Sequence, residues 1–76
     1  MSALKTWLGE LQLSGYGVDT IMGQKRILRK DGRIVWVEVV PGGYKVAITY
    51  RYTRTENKFD SFDDMADWVN EKLREP

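Results

Sequence analysis

The chain has 76 residues, 42% of them hydrophobic and 30% charged, with no cysteine, no histidine and a formal net charge of +1. At that length it reads as a single domain with a small core, because so short a chain buries only about 60% of the surface its unfolded form exposes. The missing Cys and His exclude disulfides, Cys-based zinc sites, thiolate nucleophiles and any Ser-His-Asp or Cys-His constellation. Carboxylates, Lys and Tyr remain, and the spacing gathers no pair of them into a cleft. A binding protein is therefore expected rather than an enzyme, with no cofactor, no metal and no small-molecule substrate. No run of 18 apolar residues is present and Met1–Lys5 lacks the pattern of a secretory signal, so no membrane association and a cytoplasmic location are expected.

Residues 2–14 read as an amphipathic helix. Leu4, Leu8 and Leu11 recur at i, i+4 and i+7 with Trp7 beside them, Ser2 offers an N-cap, and Gly15 and Gly17 supply the stop. From about Val18 to Arg54 the period changes to two. A strand over roughly 20–29 joins the next, 33–40, through Asp31-Gly32, a strong hairpin signal. With a two-residue turn there, Lys25 faces Glu38 and Ile27 faces Trp36; a bulged turn swaps the faces of the first strand. In the second strand Val35, Val37 and Val39 share one face, and Ile34, Trp36, Glu38 and Val40 the other.

Pro41-Gly42-Gly43 then turns the chain into a strand over 44–53. Tyr44, Val46, Ile48, Tyr50 and Tyr52 alternate there with Lys45, Ala47, Thr49, Arg51 and Thr53. A turn centred on Gly42-Gly43 pairs Val39 with Val46; one centred on Pro41-Gly42 shifts the pairs by two, and both bring the apolar faces together. Residues 55–58 read as a polar connection. A second helix follows, capped by Asp60 or Ser61, with Phe62, Met65, Ala66, Val69 and Leu73 on one stripe and Trp68 at its edge. Acids in its first turns and Lys72 and Arg74 in its last suit the helix dipole. The expected fold is α+β: an α-β-β-β-α order, a three-stranded antiparallel meander with both helices on its valine/tyrosine face.

The net charge conceals a division. Residues 21–58 carry nine Lys/Arg against three acids, a net +6, and residues 59–76 carry six acids against two bases, a net −4. If helices cover one sheet face, the other presents Trp36 and Ile34 beside Lys45, Thr49, Arg51 and Thr53. A large aromatic ringed by cations and hydroxyls suits nucleic acid. Trp36 stacks or wedges, and Lys45, Arg51 and Arg54, helped by Lys25, Arg26 and Arg29, neutralise phosphate. The competing structural role is that cations guard the sheet against edge-to-edge association while Trp36 packs on Ile27. Asp60, Asp64, Asp67 and Glu71 form an acidic stripe along the second helix. It is either a solvated face or a docking surface, since a divalent cation would need a second element to converge on; a regulator or inhibitor would meet its protein partner through this stripe or through the Trp36 face. Gly15-Tyr16-Gly17 and Pro41-Gly42-Gly43 are turns, lacking the Lys-Ser/Thr of a phosphate loop.

The α-β-β-β-α order is that of double-stranded-RNA-binding domains, which meet phosphates with lysines at the start of the last helix. Here Asp60-Ser61-Phe62-Asp63-Asp64 occupies that position, and like charge repels. A closer pattern covers residues 23–73: a basic first strand, a Trp in the next, a long basic third strand, then Phe59-x-Ser61-x-x-x-Met65-Ala66-x-Trp68. It resembles the arm-site-binding N-terminal domains of phage integrases, in which three strands enter the DNA major groove. The resemblance implies DNA contacts at Lys25, Arg26, Trp36, Lys45 and Arg51. In size and element order the chain is also similar to small phage inhibitors such as anti-CRISPR proteins, which implies a regulator that covers a protein partner.

Overall fold

Apolar residues at every second position dictate strands, and the chain folds into more of them than its Gly and Pro signals mark. A computed structural model describes residues 2–21 and 25–75. The order is α1 (Ala3–Leu13), β1 (Gly17–Ile21), β2 (Lys25–Lys30), β3 (Arg33–Val40), β4 (Gly43–Tyr50), β5 (Thr53–Phe59) and α2 (Phe62–Arg74). Among the described residues the five strands form one antiparallel sheet in sequence order. The class is α+β as expected; the three-stranded meander is corrected to a five-stranded one.

Two reversals account for the correction. The strand expected over 20–29 divides, with Val18 of β1 opposite Leu28 of β2 and Asp19 opposite Ile27. Residues 22–24, inside that expected strand, lie outside the described residues. The strand expected over 44–53 ends at Tyr50, because Arg51 and Tyr52 form a two-residue turn closed by the Tyr50–Thr53 pair. The stretch 55–58 is therefore part of β5 and not a loop. Arg51 takes φ +59° in this turn, a region that a Cβ disfavours and that Gly, Asn or Asp usually fills.

The other two hairpins carry their signals openly. Asp31 and Gly32 both have positive φ, 52° and 81°, as a type I′ turn requires, and they set Lys25 opposite Glu38 and Ile27 opposite Trp36. Pro41 and Gly42 (φ 85°) close the Val40–Gly43 pair, which selects the Pro41-Gly42 register: Val37 opposite Val46, Val35 opposite Ile48. Gly43 is held by contact. A Cβ there would overlap the carbonyl oxygen of Phe59, where β5 leaves the sheet for α2.

Both helices cover one face. Leu28, Val35, Val37, Val46 and Ile48 are buried in one cluster with Trp7, Leu8 and Leu11 of α1 and Met65, Ala66 and Val69 of α2. Aromatic contacts tie the layers. Trp7 meets Phe62 edge-on at 6.0 Å and donates its indole N–H to Asn70 Oδ1 at 3.1 Å, while Phe62 meets Tyr44 at 5.9 Å. Ser2 caps α1, accepting from the Lys5 N–H at 3.2 Å, and Ser61 rather than Asp60 caps α2, accepting from the Asp64 N–H at 3.2 Å. The opposite helix ends are fastened by one hairpin. Lys30 donates to the Ser14 carbonyl at 2.7 Å, and the Arg33 guanidinium donates to the carbonyls of Leu73 and Glu75. Since Lys30 and Arg33 are paired across the Asp31-Gly32 turn, both negative helix ends lie at the same end of the sheet.

Two glycine replacements test this packing in opposite directions. Gly43→Ala forces a side chain into backbone and should cost about 1–3 kcal/mol. Gly9→Ala, inside α1 with open space around a new Cβ, should gain about 0.5–1 kcal/mol. Chemical denaturation of the two variants reads both signs.

Candidate functional site

Strand alternation assigns each sheet residue to a face. Asp19, Ile27, Trp36, Ala47 and Glu56 form one cross-strand row on the face without helices. On one side of it lies the row Lys25, Glu38, Lys45 and Lys58; on the other lie Arg29, Ile34, Thr49 and Arg54. Although no helix covers this face, Ile27 is 1% exposed and Ala47 4%. Something large must lie over them. Trp36 is directly opposite both, and it is the one aromatic residue on that face among the described residues. Its ring is half-buried, and its indole N–H is buried with no hydrogen-bond partner. The packing of Trp36 on Ile27 is thus real, and the indole still reaches solvent.

Beside the indole is a concavity of about 80 Å³ floored by Val46 and Ala47 and walled by Lys25, Glu38, Lys45, Arg54 and Glu56. Two of the cations expected here already have partners. Arg29 pairs with Asp19 at 2.6 Å, and Arg54 pairs with Glu56 at 2.9 Å. Lys25, Lys45 and Lys58 have no ion pair among the described residues. The Arg54 hydrogen bond, then the charge of Arg54 and more weakly that of Lys45, hold the Glu56 carboxyl below the ordinary glutamate value of 4.5. A depressed carboxylate of this kind favours the folded state above its unfolded pKa, and that advantage disappears as pH falls through the folded value.

Two of the expected contact residues are elsewhere. Arg51 is in the β4–β5 turn with its guanidinium 5.1 Å from the Tyr50 ring centre, on the end of the sheet where the helices finish. Its displacement follows from the turn at 51–52, which removes it from strand alternation. Arg26 alternates to the helix side, opposite Val37, and lines the groove between α1 and β1 with Leu4, Leu8 and Val18. Thr53, opposite Tyr50, is also on the helix side. Of the positions that the integrase resemblance implied, Lys25, Trp36 and Lys45 share the open face; Arg26 and Arg51 do not. Lys58 and Glu56 join the face unforeseen. Their alternation with Arg54 was the available signal, hidden by taking 55–58 as a loop.

The acidic residues Asp60, Asp64, Asp67 and Glu71 are all exposed and have no ion pair among the described residues. No group of three or more carboxylates among the described residues is gathered as metal ligands would be. No described helix is long and apolar enough to cross a membrane. Comparisons with protein-family models, with curated proteins and with solved structures gave no significant match.

The coupling across the open face has a direct readout. In a carbon-detected NMR titration, Glu56 should titrate below 4.5. Arg54→Ala should bring its midpoint back toward the ordinary value, and Lys45→Ala should move it less in the same direction.

Proposed function

We propose that the uncovered sheet face binds single-stranded nucleic acid, without catalysing a reaction on it. The observation that carries this reading is the placement of Lys25, Lys45 and Lys58, with one acid, Glu38, among them, in one cross-strand row next to the half-exposed ring of Trp36. Adjacent strands are about 4.8 Å apart and alternate residues on one face about 7 Å apart. A backbone running across the strands along the lysines can set a phosphate on the row and a base on the indole. The ring lies close to the sheet, so it suits a base already unstacked and does not project as a wedge into a duplex. Thr49 and Arg54 flank the opposite side of the ring and extend the polar contacts.

A second reading rests on the acidic stripe. Asp64, Asp67 and Glu71 are exposed along α2, Asp60 is exposed just before its N-cap, and none of the four has an ion pair among the described residues, which suits a basic protein partner. Reversing Asp64 and Asp67 to Lys would abolish that docking and leave nucleic-acid affinity intact or raised.

Salt-titrated anisotropy with labelled single-stranded DNA and RNA tests the leading reading. Three neutralised phosphates give a slope of log affinity against log salt of about −2. Lys45→Glu and Lys58→Glu should each flatten it by about one. Trp36→Ala should lose about 1–3 kcal/mol of stacking with little change in slope. Arg51→Glu, at the end of the sheet, should perturb binding far less than Lys45→Glu. Absence of binding at low salt, or an Arg51→Glu defect as large as that of Lys45→Glu, would overturn the proposal.

A further inference from the structure

A sheet with five strands in sequence order has two open edges, and β5 is the longer, seven residues against the five of β1. Six of its seven residues are exposed; only Phe59 is partly covered. The strand pairs with β4 without interruption from Thr53 to Phe59, so it has no bulge, and it contains no proline. Bulges and proline are two of the devices by which sheets blunt an edge, and β5 lacks both; a third, charged side chains, it does have. Its charges alternate instead, Arg54, Glu56, Lys58, on the open face.

The direction of the edge groups follows from the hairpin. Tyr50 and Thr53 close a two-residue turn and form a hydrogen-bonded pair, so Thr53, Thr55, Asn57 and Phe59 turn their backbone groups toward β4. The N–H and C=O groups of Arg54, Glu56 and Lys58 therefore point outward. The Lys58 N–H agrees with this, since it donates to the side-chain Oδ1 of Asn57 at 2.9 Å instead of to β4. That bond caps the edge at Lys58 and leaves Arg54 and Glu56 as its two uncapped positions.

We propose that β5 pairs antiparallel with β5 of a second copy about a two-fold axis at Thr55. In that register Arg54 lies opposite Glu56 of the second copy, and Glu56 opposite its Arg54. Each of these pairs exchanges two backbone hydrogen bonds, and each sets opposite charges together on the open face. Thr55 faces its own copy in the closer, non-hydrogen-bonded pair, and Thr53 faces Asn57. The neighbouring two-fold registers are poorer. Centring on Glu56 sets Glu56 against Glu56 and Arg54 against Lys58, and centring on Asn57 requires the capped Lys58 N–H. The resulting assembly is a closed dimer with one continuous sheet. It is independent of any ligand.

Sedimentation equilibrium without nucleic acid, over micromolar to millimolar protein, tests it. The wild-type chain should move from one to two chain masses as concentration rises. Arg54→Glu and Glu56→Arg each set like charges opposite one another and should remain monomeric, while an equimolar mixture of the two restores both pairs and should form a heterodimer. In the wild type, exchange of the Arg54 and Glu56 amides should slow with concentration; this readout needs no variant to fold. A wild-type chain still monomeric at millimolar concentration would overturn the proposal. So would a dimer indifferent to both substitutions, or species that grow beyond two chains, which head-to-tail pairing of β5 with β1 would produce.

Discussion

Burial of only one side of the sheet is the constraint from which the rest of the molecule follows. Two helices suffice to cover one face, and Leu28, Val35, Val37, Val46 and Ile48 point into it. Strand alternation then commits their neighbours to the other face. Half of those neighbours are polar; Ile27, Ile34, Trp36 and Ala47 are not, and Trp36 stands directly opposite Ile27 and Ala47, the two that are buried. The half-buried aromatic of the open face is thus also part of a small secondary cluster. Its buried, unpartnered N–H is an unusual feature, because a buried donor left without an acceptor costs about 1–3 kcal/mol.

The same constraint sorts the charges. A basic sheet and an acidic helix sum to +1, yet the nine cations of residues 21–58 have different tasks. Lys30 and Arg33 satisfy carbonyls at the two helix ends. Arg29 and Arg54 are tied to acids on adjacent or nearby strand positions. Arg51 stacks on Tyr50 at the turn. Lys25, Lys45 and Lys58 lie in one row on one side of Trp36, so the cationic charge without an ion pair on this face, among the described residues, is smaller than the net +6 and more localised.

Much of this was legible in the residues, and most of the misplaced site residues trace to one turn. Both helices follow from their leucine and Phe/Met/Val spacing, the first cap from Ser2, and the second from Asp60 or Ser61, of which Ser61 takes the role. Asp31-Gly32 set the β2–β3 register because positive φ at both positions leaves that turn few alternatives. Pro41-Gly42-Gly43 marks the β3–β4 turn but leaves two registers open, and the chain adopts the Pro41-Gly42 one. The β4–β5 turn has no comparable signal: Arg51-Tyr52 resembles strand, and Arg51 enters the left-handed region against its own preference. Tertiary pairing along seven residues of β5 outweighs that local cost. Missing this turn displaced Arg51 and Thr53 onto the wrong face and concealed Lys58 and Glu56. Arg26 was misplaced for a different reason, since its face depends on the same parity as Leu28 and it flanks β2 at the helix side.

In the proposed function the helix-free face binds the ligand, with Trp36 at the centre. Amide and indole chemical-shift mapping during titration with a short single-stranded oligonucleotide tests it most directly. The largest shifts should fall on the Trp36 indole and on Lys25, Lys45, Ala47 and Lys58, with α2 unmoved. Shifts confined to Asp60, Asp64, Asp67 and Glu71, or spread evenly over both faces of the sheet, would contradict it.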